Sequence, residues 1–253
     1  MRVHHRIDGA GVPLVLVNSL GAALELWEPQ VAPLAARYRL IRYDQRGHGG
    51  TPAPQGPYTI EVLAGDAIEL LDRLGLERVS VCGLSLGGAV ATWIAANAPD
   101  RVERLVIASA GARFGTPEMW RERAAAVRAG GTDAVVDAVL GRWFTPAFAA
   151  AKPDVVAAIR AAFCAVQREG YAGCCEALAE WDATSHLGRI RAPTLVISAA
   201  EDTVSPPENG RAMADGIAGA RVVVLEDCAH LASAGQPAAF TQAVLEHLTG
   251  DAR

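Results

Sequence analysis

Short apolar runs alternate with longer helical patterns along most of the chain, and this alternation constrains the fold more than any other feature. The apolar runs lie at residues 14–17, 38–43, 79–82, 105–108, 195–198 and 222–225. Between them lie segments such as 60–74, whose apolar residues recur about every 3.6 residues. Buried strands separated by helices predict an α/β fold, with a mostly parallel sheet that helices cover on both faces. Residues 2–7 alternate in polarity and predict an antiparallel edge strand.

Residues 113–186 break this alternation. Helical patterns occur there at 117–128, 132–144, 153–166 and 171–178, and no segment has a convincing strand pattern. A helical insertion of this size is expected to cover the sheet edge at which the strands end, where ligands bind in open α/β sheets. We therefore predict a core formed by residues 1–112 and 187–253, and a helical cap formed by residues 113–186.

The composition is that of an ordinary globular protein. Of the 253 residues, 51% are hydrophobic and 20% are charged, and the formal net charge is −5. This negative balance, without a basic cluster that could follow a phosphate backbone, argues against nucleic-acid binding. The start, MRVHHRIDG, lacks the apolar stretch of a signal peptide, and no apolar run approaches the roughly 18 residues of a membrane span. We expect a cytoplasmic protein that does not enter a membrane.

The cysteines give no sign of a metal site or of disulfide bonds. They lie at positions 82, 164, 174, 175 and 228, with irregular spacing and no CxxC or Cys/His ligand pattern. A chain expected in the cytoplasm keeps its thiols reduced, so each cysteine is predicted to be a small buried hydrophobic residue. Cys228 lies two residues before His230 and can affect the surroundings of that side chain.

A serine between two glycines, in the stretch Gly83-Leu84-Ser85-Leu86-Gly87, joins a predicted strand to a predicted helix. The G-x-S-x-G pattern in this context is typical of a nucleophile elbow, a sharp and strained strand-to-helix turn. Such a turn brings backbone close to the positions two before and two after the serine, so glycine is needed at both. It holds the serine Oγ above the sheet at the positive end of a helix. We predict that Ser85 is a nucleophile rather than part of a plain turn.

A serine hydroxyl needs a general base to take its proton, and the base needs an acid to orient it. On this kind of fold the acid and then the histidine follow the serine along the chain. Asp202 follows the predicted strand at 195–198, and His230 follows the one at 222–225. Since parallel strands end at one edge of a sheet, we predict that both lie beside Ser85, with Asp202 as the acid and His230 as the base.

Other acids and histidines compete for these two roles. Glu201 and Asp227 are the alternative acids, but Asp227 lies only three residues before His230, which favours a local role in capping its loop. The remaining histidines are at positions 4, 5, 48, 186 and 247, and none of them lies between a late buried strand and a helix. His48 is in the glycine-rich stretch RGHGG, which favours a structural role in hydrogen bonding.

The negative charge that develops on an attacked carbonyl oxygen needs backbone N–H donors. The elbow supplies the N–H of Leu86, and a second donor is expected from the loop after the first buried strand. In that loop, Asn18-Ser19-Leu20-Gly21, the N–H of Leu20 is the best candidate. Ser19 is a rival nucleophile, weakened by the absence of a helix directly after it.

The chain is similar along its whole length to the α/β-hydrolase superfamily. The stretches that carry this resemblance are NSLG, YDQRGHGGT, GLSLGG, AAEDTVSPP and CAHLASAGQP, in the order and spacing of the superfamily. Within it, the chain most resembles the 3-oxoadipate enol-lactonases of aromatic degradation. Three stretches point to them: residues 18–21 (NSLG), 141–148 (GRWFTPAF) and 169–178 (EGYAGCCEAL).

The resemblance implies a serine hydrolase that opens the lactone ring of 3-oxoadipate enol-lactone without a metal or an organic cofactor. This substrate is a small anionic lactone, which implies an arginine in its pocket, and Arg142 and Arg113 are the candidates. Trp143, next to Arg142, and Trp27, seven residues after Leu20, are candidates for the pocket wall. The sequence leaves the oligomeric state open.

Two stretches depart from the lactonase pattern. Residues 199–200 are alanines where related chains often carry glycine, and residues 231–235 lack the Ser-Asn pair typical of the lactonases. A broader carboxylesterase, or a cofactor-free perhydrolase, is therefore the alternative enzyme with the same three residues. A receptor of the same fold that binds a ligand without catalysis is the alternative from another class.

Overall fold

A computed structural model describes residues 1–250, which form one seven-stranded sheet with helices around it. The strands are β1 (His5–Asp8), β2 (Val12–Val17), β3 (Tyr38–Tyr43), β4 (Val79–Leu84), β5 (Val102–Ala108), β6 (Thr194–Ala199) and β7 (Arg221–Leu225). Their order across the sheet is β1-β3-β2-β4-β5-β6-β7. Among these strands β1 alone is antiparallel to its neighbour. The predicted α/β fold, with its antiparallel first strand, is therefore confirmed.

The central strands are apolar because they are covered on both faces. All six residues of β4 are buried, and so are all six of β6. The outer strands β1 and β7 keep partly exposed residues. Because β2 to β7 are parallel, the loops that follow β2, β4, β6 and β7 all leave the sheet at the same edge.

Eleven α-helices connect the strands of the described residues. They are α1 (Glu28–Ala35), α2 (Ile60–Arg73), α3 (Leu86–Asn97), α4 (Pro117–Gly130), α5 (Val136–Trp143), α6 (Pro146–Ala151), α7 (Pro153–Cys164), α8 (Arg168–Ala179), α9 (Pro207–Asp215), α10 (Ala232–Gly235) and α11 (Pro237–Thr249). The helices predicted at 60–74 and directly after the serine are present as α2 and α3. The sequence pattern did not reveal α1, α6, α9 or α10.

Helices α4 to α8 lie between β5 and β6, in the segment that the sequence assigns to the cap. The helix predicted over 132–144 is in fact a short 3-10 turn, Thr132–Ala134, followed by α5, because Val135 leaves the helical conformation with φ −126° and ψ −9°. The unpredicted α6 begins at a proline, and the hydroxyl of Thr145 caps it by accepting from the N–H of Phe148 at 3.1 Å. The division into core and cap as separate domains stays a prediction.

The cap packs directly on the core at two places. At the first, α8 meets the loop after β3: a Cβ on Gly170 would lie 2.4 Å from the Cα of Gly47, so the backbones are in contact. The N–H of Gln167 also donates to the carbonyl of Gly47 at 2.9 Å. At the second, the N–H of Leu231 donates to the carbonyl of Trp143, at the end of α5, at 3.2 Å. Both places border the sheet edge where the parallel strands end.

No helix within residues 1–250 combines the length and the apolar character needed to cross a membrane.

Candidate active site

The turn between β4 and α3 has the strained geometry that its glycines imply. Ser85 has φ 57° and ψ −116°, a conformation that L-residues rarely adopt. A Cβ on Gly83 would lie 2.0 Å from the carbonyl oxygen of Gly87, and one on Gly87 would lie 2.1 Å from the carbonyl oxygen of Val17. Glycine is thus required at both positions because backbone occupies the space of a side chain.

Ser85, His230 and Asp202 form one chain of hydrogen bonds. The Nε2 of His230 lies 2.8 Å from the Oγ of Ser85, and its Nδ1 lies 2.8 Å from the Oδ2 of Asp202. All three residues are at most 5% exposed. In the tautomer that carries its proton on Nδ1, the imidazole donates to the carboxylate and leaves Nε2 free to accept the proton of the serine. The sequence therefore predicted correctly that these three residues meet at one edge of the sheet.

Asp202 is held in place by its own loop. Its Oδ1 accepts from the N–H groups of Val204 and Ser205 at 2.8 and 2.9 Å, so the carboxylate presents Oδ2 to the imidazole. The two rival acids are both exposed on the surface of the protein and make no hydrogen bond with His230. Asp227 has a positive φ of 54°, which agrees with a local role in its turn.

The two N–H groups predicted to bind an oxyanion come from a residue that follows Ser85 and a residue that lines its cavity. Leu86 is the first residue of α3, where helix amides have no partner within the helix. Leu20 lines the same cavity as Ser85, and within residues 1–250 its N–H has no hydrogen-bond acceptor. The next amide, of Gly21, donates to the Nε2 of His48 at 2.9 Å, which fixes the loop.

His48 has the structural role that its glycine-rich surroundings suggest. The ring is fully buried, and its Nδ1 lies 2.8 Å from the carbonyl oxygen of Arg46. Since Nε2 accepts from the N–H of Gly21, the imidazole carries its proton on Nδ1. Burial lowers the pKa of His48, which keeps the ring neutral and able to accept that bond.

A cavity lies over Ser85, between the sheet edge and the cap. The core contributes Ser19, Leu20, Ser85, Val204 and His230 to its wall, and the cap contributes Trp120, Arg123, Val139, Arg142, Trp143 and Tyr171. The reactive groups of the core are thus covered by two arginines and three aromatic residues of the cap. Ser19, the rival nucleophile, also lines the cavity, but the His230 imidazole contacts Ser85 instead.

The structure separates the four residues predicted for substrate binding into two pairs. Arg142 and Trp143 line the cavity. Arg113 lies outside it, with 69% of its side chain exposed and an ion pair to Asp182 at 2.5 Å. Trp27 is also outside: its indole is fully buried, packs against Phe240 and donates to the Oδ1 of Asn18 at 2.8 Å. The prediction that Trp27 lines the pocket is therefore wrong, because the indole packs beneath the loop of Asn18, on the side away from the cavity.

Three cavity residues escaped the sequence analysis: Trp120, Arg123 and Tyr171. The guanidinium of Arg123 lies over the indole of Trp120, with Cζ 4.6 Å from the ring centroid. The sequence does contain one signal for Trp120 and Arg123, because a spacing of three residues places both on the same face of α4. Nothing in the sequence shows that this face turns towards the cavity.

No group of three or more His, Cys, Asp or Glu residues within 1–250 is arranged to hold a metal ion. Cys228, close to His230 in the chain, is buried, and burial raises the pKa of its thiol to about 12. The thiol is therefore protonated and acts as a small packing group beside the histidine loop.

Comparisons with known proteins agree on the family of the chain. The family described as alpha/beta hydrolase fold matches residues 12–236 of the chain. The chain is 38% identical over 231 residues to 3-oxoadipate enol-lactonase 2 of Acinetobacter baylyi, which covers 91% of this chain and 86% of that protein. Family and relative agree with the resemblance seen in the sequence motifs.

Solved structures show the same fold. The crystal structure of the enol-lactonase from Burkholderia xenovorans LB400 superimposes with a TM-score of 0.95 and 45% identity, over 98% of this chain and 96% of that chain. A thermophilic esterase from Thermogutta terrifontis, solved with malate bound, superimposes with a TM-score of 0.94 and 32% identity, over 98% and 93% of the two chains. The similarity to both structures spans the core and the cap.

Proposed function

The chain belongs to the α/β-hydrolase fold family, and on that premise we propose that it is a carboxylic ester hydrolase that opens 3-oxoadipate enol-lactone to 3-oxoadipate. This reaction belongs to the β-ketoadipate pathway of aromatic degradation. The observation that carries the proposal is the hydrogen-bonded chain Asp202–His230–Ser85 at the floor of a cavity that also holds Arg142. The names of similar proteins, among them the enol-lactonase from Burkholderia xenovorans, support the choice of substrate.

The first half of the reaction acylates Ser85. The Nε2 of His230 takes the hydroxyl proton as Oγ attacks the lactone carbonyl, and Asp202 stabilises the imidazolium that forms. The N–H groups of Leu20 and Leu86 hold the oxygen that becomes negative. Each such donor typically contributes about 10²–10³ in rate, or roughly 3–4 kcal/mol.

Collapse of the tetrahedral intermediate breaks the ring C–O bond. The oxygen that leaves is an enolate oxygen, which is a good leaving group because the enol relaxes to the ketone. The proton held by His230 goes to this departing group. The opened chain stays attached through its other end, so the acyl-enzyme contains every atom of the lactone.

The second half releases the product. His230 takes a proton from water, the hydroxide attacks the ester of Ser85, and the same N–H groups stabilise the second oxyanion. Return of the proton to Oγ frees 3-oxoadipate. The net reaction consumes one lactone and one water.

Arg142 supports an anionic substrate over a neutral one. Its guanidinium lines the cavity above the serine, and its Nε donates to the carbonyl of Ala138 at 3.0 Å, which holds the side chain in place. The lactone carries a free carboxylate, and a guanidinium binds a carboxylate through charge-assisted hydrogen bonds. A simple neutral ester offers Arg142 no such partner.

The decisive experiment follows hydrolysis of 3-oxoadipate enol-lactone by its ultraviolet absorbance, with wild type and Ser85→Ala side by side. A neutral p-nitrophenyl ester serves as the comparison substrate. We expect fast lactone opening that disappears in the variant, together with weak turnover of the neutral ester.

Two other results would reject the proposal in different ways. Fast ester turnover with negligible lactone opening would leave Ser85 as the nucleophile of a general esterase. Turnover of neither substrate that depends on Ser85 would reject the proposed chemistry itself. Circular dichroism and thermal unfolding of both proteins show that the comparison is made between folded molecules.

A further inference from the structure

The cavity over Ser85 holds two guanidinium groups, although an anionic lactone requires only one. Arg123 comes from α4 and Arg142 from α5, and both line the same cavity. Neither arginine belongs to the elbow, the histidine loop or the acid loop. The second positive charge therefore needs an explanation of its own.

Neither guanidinium has a carboxylate partner among the residues that the structure describes. The ion pairs formed within residues 1–250 involve many other arginines but not Arg123 or Arg142. Arg128 gives the contrast: it lies on the same helix as Arg123 and binds both Glu169 and Glu176. Two cations that share a cavity without a counterion form a site ready for an anion.

Uncharged groups hold the two side chains in place. Arg123 lies on the face of Trp120, with Cζ 4.6 Å from the ring centroid. Arg142 donates from Nε to the carbonyl of Ala138, within its own helix. A stacked guanidinium keeps its N–H groups in the plane of the ring and available to a ligand, and a guanidinium bonded through Nε keeps the two terminal nitrogens.

The proximity of the two charges is unfavourable without a ligand. Burial, and after it the positive charge of Arg123, lowers the pKa of Arg142. Burial raises the pKa of the Tyr171 phenol, while the charges of both arginines act in the opposite direction. A carboxylate between the two guanidiniums would offset their repulsion, because each would then face an opposite charge in a site with little water.

We propose that Arg123 and Arg142 bind one carboxylate together, so that the cavity selects acyl or lactone substrates that carry a free acid group. Arg123 is in this sense a specificity-determining residue. The acid group that Arg142 binds rests on the proposed function, and the role of Arg123 goes beyond it. The ligand class is an ester or lactone whose carbonyl reaches Ser85 while its carboxylate lies between α4 and α5.

The test compares two esters that differ in one group. The charged substrate is p-nitrophenyl hydrogen glutarate, and the neutral one is p-nitrophenyl pentanoate, which has a methyl group in place of the carboxylate. The quantity measured is the ratio of kcat/KM for the charged ester to that for the neutral ester. Arg123→Gln, Arg142→Gln and the double variant are compared with wild type, and Arg113→Gln is the matched control because that arginine lies outside the cavity.

We expect wild type to prefer the charged ester. Each single variant should lower the ratio about 10- to 100-fold, the range for a hydrogen bond to a charged group, because kcat/KM falls far more for the charged ester than for the neutral one. Because one carboxylate is shared, the double variant should differ from the product of the two single effects. Arg123→Lys keeps the charge without the planar stack and should recover part of the ratio. Arg113→Gln should match wild type.

Three results would overturn the proposal. The first is an unchanged ratio in Arg123→Gln, which assigns any preference for acids to Arg142 alone. The second is a double-variant effect equal to the product of the single effects, which means that the arginines do not share a carboxylate. Equal losses on both esters would likewise assign Arg123 a purely structural role. The p-nitrophenyl release does not depend on lactone opening, so failure here and failure of the proposed function are distinguishable.

Discussion

The floor and the roof of the cavity are built on different principles. The floor comes from the core: its groups lie on loops directly after parallel strands, and backbone contacts at Gly83, Gly87 and the Asp202 loop fix them. The roof comes from cap helices, whose arginines and aromatic rings are held by side-chain packing. Backbone geometry thus fixes the reacting groups. The side chains that face the substrate, by contrast, lie on regular helices whose backbone does not constrain them.

This difference implies unequal tolerance to change. The glycines of the floor cannot be replaced without moving backbone, since a Cβ on Gly83 or Gly87 would meet a carbonyl oxygen. A residue of the roof can be replaced on its helix while the fold remains. We therefore expect variants of the core to affect every substrate alike, and variants of the cap to change the choice among substrates.

The largest effect is expected from His230→Gln. Loss of the base should lower kcat about 10⁶-fold, because a triad acts as a unit and fails when its base is removed. Both p-nitrophenyl esters should lose activity by the same factor, which is measured in steady state at high enzyme concentration. Unequal loss for the charged and the neutral ester would contradict the assignment of chemistry to the core alone.

The next effect is on stability, and it is tested with one glycine of the elbow and one glycine of the cap. In Gly87→Ala the new Cβ would lie 2.1 Å from the carbonyl oxygen of Val17, so backbone must shift, and the free energy of unfolding should fall by about 1–3 kcal/mol. Gly141→Ala is the control in α5 of the cap, where no atom lies within 4 Å, and alanine should raise stability by about 0.5–1 kcal/mol. Urea unfolding measures both. Equal changes in the two variants would show that the elbow is not tightly constrained.

Gly21, where the two regions meet, should give a smaller effect on catalysis. It has φ 83°, and a Cβ there would lie 2.4 Å from the ring of Phe163 in the cap. Gly21→Ala should move the neighbouring N–H of Leu20 and lower kcat about 10-fold, part of what loss of an oxyanion donor costs. Adding Phe163→Leu removes the clash with the ring and should restore some activity. A kcat that stays at the wild-type value in Gly21→Ala would show that this loop adapts freely.

A further prediction is a pH dependence of stability that belongs to the core. His247 in α11 is buried, and burial, followed by the charge of Arg104, lowers its pKa to about 4. The unfolded chain takes up this proton below about pH 6.5 and the folded protein only below about 4, so the free energy of unfolding falls as the pH drops through this range. His247→Gln should flatten that fall. Unfolding curves at pH 7, 5.5 and 4.5 that have the same pH dependence in variant and wild type would contradict this.

The sequence was sufficient for the floor and insufficient for the roof. A strand, a G-x-S-x-G turn and a helix place Ser85, and the parallel sheet then brings Asp202 and His230 to the same edge, because every strand ends there. The place of Arg123 depends on which face α4 turns towards the core, and this depends on packing between distant segments. Trp27 was misplaced for the same reason, since a spacing of seven residues does not show on which side of a loop an indole lies.

The division of labour between core and cap is tested most directly by Asp202→Asn and Arg142→Gln with the two p-nitrophenyl esters. The measurement is kcat/KM for each variant and each ester. We predict that Asp202→Asn lowers both values by the same factor, about 10⁴, because it disturbs the imidazole that acts on every substrate. Arg142→Gln should lower only the value for the charged ester, by about 10- to 100-fold. A change of ester preference in Asp202→Asn would contradict this division between core and cap. Equal losses on both esters in Arg142→Gln would contradict it as well.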